Sequence, residues 1–148
     1  MKTAWSHEAR AELVRRFASI DANAAPKWGR FTAPRMVAHV TDAIRLANGE
    51  LPCRPKGPSF LRWPPVRYLF VHVLPFPKGA PTARELLRQG SVEWSDEQTA
   101  LREALERFGQ RDRRGPWPEH PAFGAVDAET WGALVYKHCD HHLRQFGA

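Results

Sequence analysis

The sequence predicts an all-α protein, a four-helix bundle in which a long crossover connection joins the second and third helices. Apolar residues recur at i, i+3, i+4 and i+7 in four separate segments, which is the spacing of one buried helix face. A proline-rich stretch of about 45 residues, 50–94, lacks a long periodic pattern and could return the chain along the bundle, so that helices two and three run parallel. Since 148 residues suffice for one sizeable core, we expect a single domain over 1–148.

The first two predicted helices each carry a clear apolar stripe. The first covers residues 5–23, and its stripe consists of Trp5, Leu13, Val14, Phe17 and Ile20. The second follows Thr32, a residue type that caps helix N-termini, and has Pro34 in its first turn. Asn48-Gly49 supplies its end. Its stripe places a histidine on the apolar face and consists of Met36, His39, Val40, Ala43, Ile44 and Ala47.

The proline-rich connection carries weaker signals. Within it we expect one short helix or extended segment near 66–74, where apolar residues are consecutive, and a further helical turn near Thr82–Arg88. A second loop, from Arg111 to Val126, separates the last two helices and contains several prolines. Neither stretch shows an internal repeat or low-complexity sequence.

The last two helices are predicted from caps and stripes together. The third long helix begins at Ser95 and continues to Gly109. Its apolar residues are Leu101, Ala104, Leu105 and Phe108. The last helix follows Asp127, a good N-cap, and runs to about Gln145.

Composition argues against several classes of protein. No apolar run approaches the roughly 20 residues needed to cross a bilayer, and the charged N-terminus lacks the apolar region of a signal peptide. The two cysteines, Cys53 and Cys139, offer no disulfide framework, so we expect a cytoplasmic protein without a membrane partner. The net charge of +6 is concentrated in arginines at helical surface positions, without the interleaved aromatic residues of a base-stacking platform. We therefore expect a solvated basic face and no specific binding of a nucleic acid.

Three histidines point to a metal site. His138 and His142 are four residues apart, so on a helix both project from the face that carries Trp131 and Val135. If helices two and four are antiparallel, His39 lies level with this pair and the three imidazoles converge at one end of the bundle. Three neutral imidazoles suit Zn, Ni, Fe or Co and leave a coordination position open. The alternative is a set of core histidines satisfied by hydrogen bonds.

Five further residues have open roles. His141, one position off the stripe, faces outward or supports the ligands, and Asp42 orients a ligand, accepts a proton or lies at the surface. Lys78 could reach an anionic substrate group or be a solvated loop lysine, and His120 could line the mouth of the site or stabilise a turn. Cys139 beside a histidine is a nucleophile candidate, but adjacent helical residues point about 100° apart. No residue is assigned as catalytic.

The residues HPAFGAVDAETWGALVYKHCDHHLRQFG resemble the C-terminal half of the DinB/YfiT-like metalloenzyme superfamily. The likeness includes segments 26–29, Met36–His39 and 77–82, and so extends over nearly the whole chain. The resemblance implies a four-helix bundle with a long crossover and a divalent metal ion held by three histidines. Carried over, these are His39, His138 and His142. Zinc or nickel is the expected ion, with iron, cobalt or manganese as alternatives.

The resemblance also bears on activity, because some relatives are thiol-dependent transferases or isomerases. In these, the metal is thought to lower the pKa of a low-molecular-weight thiol. We therefore expect a metal-dependent enzyme, a thiol-dependent S-transferase acting on a small molecule. The alternative is a non-catalytic, stress-associated metal-binding bundle. Zincin-type proteolysis is disfavoured, because the chain has His-Cys-Asp-His-His in place of His-Glu-x-x-His. The oligomeric state is a separate question, for which a homodimer is one alternative.

Overall fold

The structure, a computed structural model, describes residues 1–80, 82 and 84–148. It confirms the all-α prediction: the described residues form five α-helices and no strand, apart from one isolated bridge between His120 and Gly124. The helices are α1, His7–Ala18; α2, Ala33–Ala47; α3, Pro64–Tyr68; α4, Trp94–Gln110; and α5, Ala128–Gln145. None of them is long and apolar enough to cross a membrane.

Side-chain caps begin three of the long helices. Ser6 accepts a hydrogen bond from Ala9 N at 3.3 Å, and Asp127 accepts one from Thr130 N at 2.8 Å. Thr32 Oγ1 lies 3.5 Å from Arg35 N, so it makes a weaker hydrogen bond of the same kind. The predictions for Thr32 and Asp127 are therefore confirmed.

The predicted boundaries of two helices are wrong: α1 covers His7–Ala18 in place of 5–23, and α4 covers Trp94–Gln110 in place of Ser95–Gly109. The first helix ends at Ala18, because Asp21 O accepts from Ala24 N and the Asp21 carboxylate accepts from Asn23 N, a local turn that competes with the helix. Helix α4 begins at Trp94, one residue before the predicted Ser95, and has no side-chain cap.

The connection after α2 contains short helical pieces. A 3₁₀ turn at Ser59–Arg62 precedes α3, which continues into a π-helical turn at Leu69–Val73. Of the two forms predicted near 66–74, the helix is therefore confirmed. A 3₁₀ turn at Arg84–Leu86 falls within the helical turn predicted near Thr82–Arg88, of which Ala83 lies outside the described residues.

Four long helices pack around the core. Helix α2 contacts α4 and α5, and α1 contacts the same two helices. Trp5, just before α1, stacks on Phe108 of α4 at 4.5 Å and donates from Nε1 to the carbonyl of Ala128 at 2.8 Å. Gly132 permits this contact, since a Cβ there would lie 2.3 Å from Trp5 Cδ1. The packing holds α2 and α5, the two helices that carry the candidate metal ligands, side by side.

Candidate metal centre

The three predicted ligands meet in the structure. Nε2 of His138 lies 3.1 Å from Nε2 of His39 and 3.1 Å from Nε2 of His142. One ring nitrogen from each of the three residues falls within 4.8 Å of the others, close enough for one ion. His39 comes from the first half of α2 and the other two from the second half of α5. His39 and His142 are buried, while His138 keeps partial exposure.

Neighbouring groups fix which nitrogen of two rings carries the proton. Nδ1 of His39 lies 3.0 Å from the carbonyl oxygen of Leu86, which can only accept, so in the neutral ring Nδ1 is protonated. Nδ1 of His142 donates to the side-chain oxygen of Gln145 at 2.7 Å. The orientation of that amide is set in turn, because Gln145 Nε2 donates to the carbonyl of Trp28 at 2.7 Å. Both histidines therefore direct an unprotonated Nε2 towards His138.

This arrangement fits a divalent cation. His138 Nε2 could donate a proton to one of the two facing lone pairs but not to both, so the cluster lacks protons for its acceptors. Two nitrogens bound to one ion at about 2.1 Å lie about 3.0–3.4 Å apart for bond angles between about 90° and 109°. The observed 3.1 Å separations lie within that interval. A carbonyl or amide oxygen on the far ring nitrogen is also the usual support of a metal-bound histidine.

The surroundings keep the imidazoles neutral, which is the form that binds metals. Burial lowers the pKa of His39, and it lowers the pKa of His142 to about 3. Burial and the neighbouring His142 and His39 rings hold the pKa of His138 well below its usual range. Phe31 covers the cluster on one side, since it stacks on His39 at 5.2 Å and meets His142 edge-on at 5.8 Å.

The histidine cluster forms part of the wall of a cavity of about 570 Å³. This volume falls within the roughly 300–1,000 Å³ typical of sites for small molecules. Most of the remaining wall is apolar, with side chains that include Phe31, Ile44, Leu61, Phe70, Phe76 and Leu134. The three imidazoles are thus accessible from a space that could hold a substrate, which distinguishes the site from a closed structural one.

Charge in the cavity has one sign. Arg30 and Lys56 belong to the lining, whereas no Asp or Glu of the described residues does. Lys56 Nζ donates to the backbone oxygen of Thr82 at 2.7 Å, and Arg30 is exposed. The cavity therefore favours neutral or anionic molecules, and the described residues provide it with no carboxylate base.

Lys137 joins the connection after α2 to the helix that carries His138 and His142. Its Nζ donates to the backbone oxygens of Phe70 at 2.5 Å and Val71 at 3.0 Å, and also to that of Leu74. These carbonyls end the π-helical turn, where a lysine satisfies otherwise unpaired acceptors. Since Phe70 and Phe76 line the cavity, the contact holds this wall against α5.

Asp42 is buried and pairs with arginines, not with the histidine cluster. Its carboxylate accepts from Arg88, with the nearest pair of atoms 2.7 Å apart, and from Arg45 at 3.3 Å. Arg88 also pairs with Glu97 of α4, a buried carboxylate whose pKa is raised by burial. Because Arg88 follows Leu86 by two residues, this network anchors the backbone oxygen that orients His39. The alternative of a surface role for Asp42 is wrong.

The other candidates take different positions. His141 lines the cavity, 5.7 Å from the Trp28 ring and 6.1 Å from that of Phe76, but lies outside the nitrogen cluster. Lys78 is exposed and lies 4.6 Å from the centroid of the Trp28 ring. Cys139 is fully buried, and burial raises the pKa of its thiol, so it is a poor nucleophile.

His120 combines both of its predicted roles. Its Nδ1 accepts from Ala122 N at 3.1 Å and from Phe123 N at 3.2 Å, within the turn closed by the bridge to Gly124. The side chain also lines the cavity. Burial lowers the pKa of His120 to about 4, so the ring is neutral at physiological pH.

Sequence reasoning missed two supports of the site. Gln145 lies three residues after His142, so helical spacing could have identified it as a partner on the same face. The Leu86 carbonyl ends a short 3₁₀ turn and, as a backbone atom, has no side-chain signature.

The family profile described as "Protein of unknown function (DUF1569)" matches residues 71–148, just over half of the chain. The chain therefore belongs to the DUF1569 family. The matched region includes His138, His142 and Gln145, while His39 precedes it. No curated protein and no solved structure matches the chain.

Proposed function

We propose that this DUF1569 protein is a metal-dependent enzyme that binds a divalent ion through His39, His138 and His142 and acts on a small molecule in the adjoining cavity. The observation that carries the proposal is the convergence of the Nε2 atoms of three imidazoles, two of them unprotonated by their Nδ1 contacts, at the wall of a space of about 570 Å³. A purely structural ion is usually enclosed by protein ligands on all sides. Here the remaining side faces a cavity.

The proposed architecture is a four-helix bundle of α1, α2, α4 and α5, with the segment between Ala47 and Trp94 as a crossover. The packing of α1 and α2 against both α4 and α5 supports it. The same architecture is the basis for proposing a relationship with the DinB/YfiT-like superfamily. The placement of one histidine on the second long helix and two on the last agrees with that relationship.

A thiol-dependent S-transferase is the reaction class that the cavity favours. A divalent ion in this position would lower the pKa of a thiol or water molecule beside it. A hydrolase would usually need a carboxylate base next to the ion, and none lines the cavity among the residues described. The protein's own contribution is to orient His39 and His142 through Leu86 and Gln145 and to surround the adjoining space with aromatic and apolar side chains.

A conjugation screen tests the proposal. The zinc- or nickel-loaded protein is mixed with a panel of low-molecular-weight thiols, namely cysteine, glutathione, mycothiol and bacillithiol, and with electrophiles such as monochlorobimane. We expect turnover that is lost on chelation, restored by the metal, and absent in His138→Ala. His7→Ala is the matched control, because His7 is exposed at the start of α1.

Two outcomes would count against an enzyme of this kind. Stoichiometric metal without turnover for any thiol would favour the non-catalytic metal-binding protein. Turnover that resists chelation and persists in His138→Ala would place the chemistry elsewhere in the chain.

A further inference from the structure

The tautomer of His120 leaves one hydrogen-bond donor unused. Its Nδ1 accepts from two backbone N–H groups, so Nδ1 is unprotonated and the proton of the neutral ring resides on Nε2. Within the described part of the chain, Nε2 has no hydrogen-bond partner. Among the described residues, two side-chain atoms are both fully buried and without a hydrogen-bond partner: Asn48 Oδ1 and Glu97 Oε2. Nε2 of His120 is absent from this pair, so it is not fully buried and retains some accessible surface.

The ring is held rigidly beside the cavity. It packs between Phe123 at 4.8 Å and Trp131 at 5.2 Å, and Trp131 is itself fixed by a hydrogen bond from Nε1 to the Pro118 carbonyl at 3.1 Å. His120 lines the cavity, and its Nδ1 edge faces the turn backbone, so the edge with Nε2 is the one left to face the cavity. A donor fixed in an apolar pocket selects for ligands that carry an acceptor at the matching point.

We propose that the Nε2–H of His120 donates to an oxygen atom of the substrate, and that the substrate is a compact, largely apolar molecule carrying a carbonyl or ether oxygen. The inference rests on the proposed function, since it places the substrate in the cavity that the three-histidine cluster borders. Trp131 precedes His138 by two helical turns, a rise of roughly 10 Å along α5. The oxygen thus binds at a distance from the reacting atoms, and His120 acts as a specificity-determining residue.

A matched pair of probes measures the contribution of this donor. Acetylnaphthalene and its isopropyl analogue have nearly the same shape, but only the ketone can accept a hydrogen bond. We expect the metal-loaded protein to bind the ketone about 5–10-fold more tightly, which is the usual value of one neutral hydrogen bond. Binding is measured by fluorescence titration, and metal content is determined on the same samples.

Two variants separate the two edges of the ring. In His120→Asn, the amide oxygen takes the place of Nδ1, so the two hydrogen bonds of the turn are retained while the preference for the ketone disappears. In His120→Gln, the amide nitrogen takes the place of Nε2, so the preference is retained while the loss of the turn acceptor lowers the melting temperature.

The inference is overturned if wild type shows no preference, if His120→Asn keeps it, or if neither probe binds at millimolar concentration. Metal content separates this failure from failure of the proposed function. A metal-loaded protein without a ketone preference removes only the role of His120. If the chain binds no metal but still prefers the ketone, the donor role of His120 is supported and the proposed metal-dependent function is contradicted.

Discussion

Replacement of Gln145 by leucine tests whether the support of His142 determines metal affinity. Gln145 is only 4% exposed, accepts from His142 Nδ1 at 2.7 Å and donates to the Trp28 carbonyl at 2.7 Å. Loss of the partner on the far nitrogen of a metal-bound histidine typically weakens binding by about 10–100-fold, or about 1.4–2.8 kcal/mol. We expect a loss of this size in competition titrations against a chromophoric chelator.

The same substitution should also destabilise the metal-free protein. It leaves the Trp28 carbonyl and the His142 N–H without their buried partner, at a cost of about 2 kcal/mol or more. For a chain of this size the melting temperature should fall by about 4–8 °C.

Gln98→Leu is the matched control for this experiment. Gln98 donates to the backbone oxygen of Phe17 at 3.0 Å, so its loss costs some stability without touching the histidines. The reasoning is refuted if Gln145→Leu binds metal within twofold of wild type, or if Gln98→Leu weakens binding equally. Gln145→Glu keeps an acceptor opposite Nδ1 but loses the donor to the Trp28 carbonyl, so it should retain most of the metal affinity while lowering the melting temperature.

Three further predictions concern the supporting structure. Arg88→Met removes the cation shared by the buried carboxylates of Asp42 and Glu97 and leaves Asp42 with Arg45 alone, so urea unfolding should show a loss of about 2 kcal/mol or more; an unchanged midpoint would contradict this role. The pKa of His120 falls from 6.5 to about 4 on folding, so the unfolded chain binds the extra proton and stability decreases as pH drops through that interval, by at most about 3 kcal/mol. The pH dependence of melting should be shallower in His120→Asn, and identical profiles would refute the assignment. Lys137→Met should increase hydrogen exchange over residues 64–74 while melting remains cooperative, and unchanged protection there would show that the lysine does not hold this wall.

The helices and the histidine cluster could be predicted because both depend on local spacing. The stripe through Met36, His39 and Val40 defines the buried face of α2, and the spacing of His138 and His142 puts them on one face of α5. Each of these signals lies within a single helix and does not require knowledge of the tertiary fold.

The rest of the site depends on tertiary contacts. The Leu86 carbonyl is a backbone atom, which any residue could supply, and its position depends on the pairing of Arg88 with Asp42. The π-helical turn that lines the cavity is stabilised by Lys137, a residue distant in sequence. Ser95 is a residue type that caps helices, but in the structure it lies inside α4, which starts at Trp94 without a side-chain cap.

The ratio of divalent metal to chain, measured by elemental analysis after metal loading and gel filtration, tests the central claim most directly. We expect a ratio close to one for wild type and for His7→Ala, and almost no bound metal for His39→Ala, His138→Ala and His142→Ala. Full retention of metal by His142→Ala, or a wild-type protein that binds none, would contradict the account.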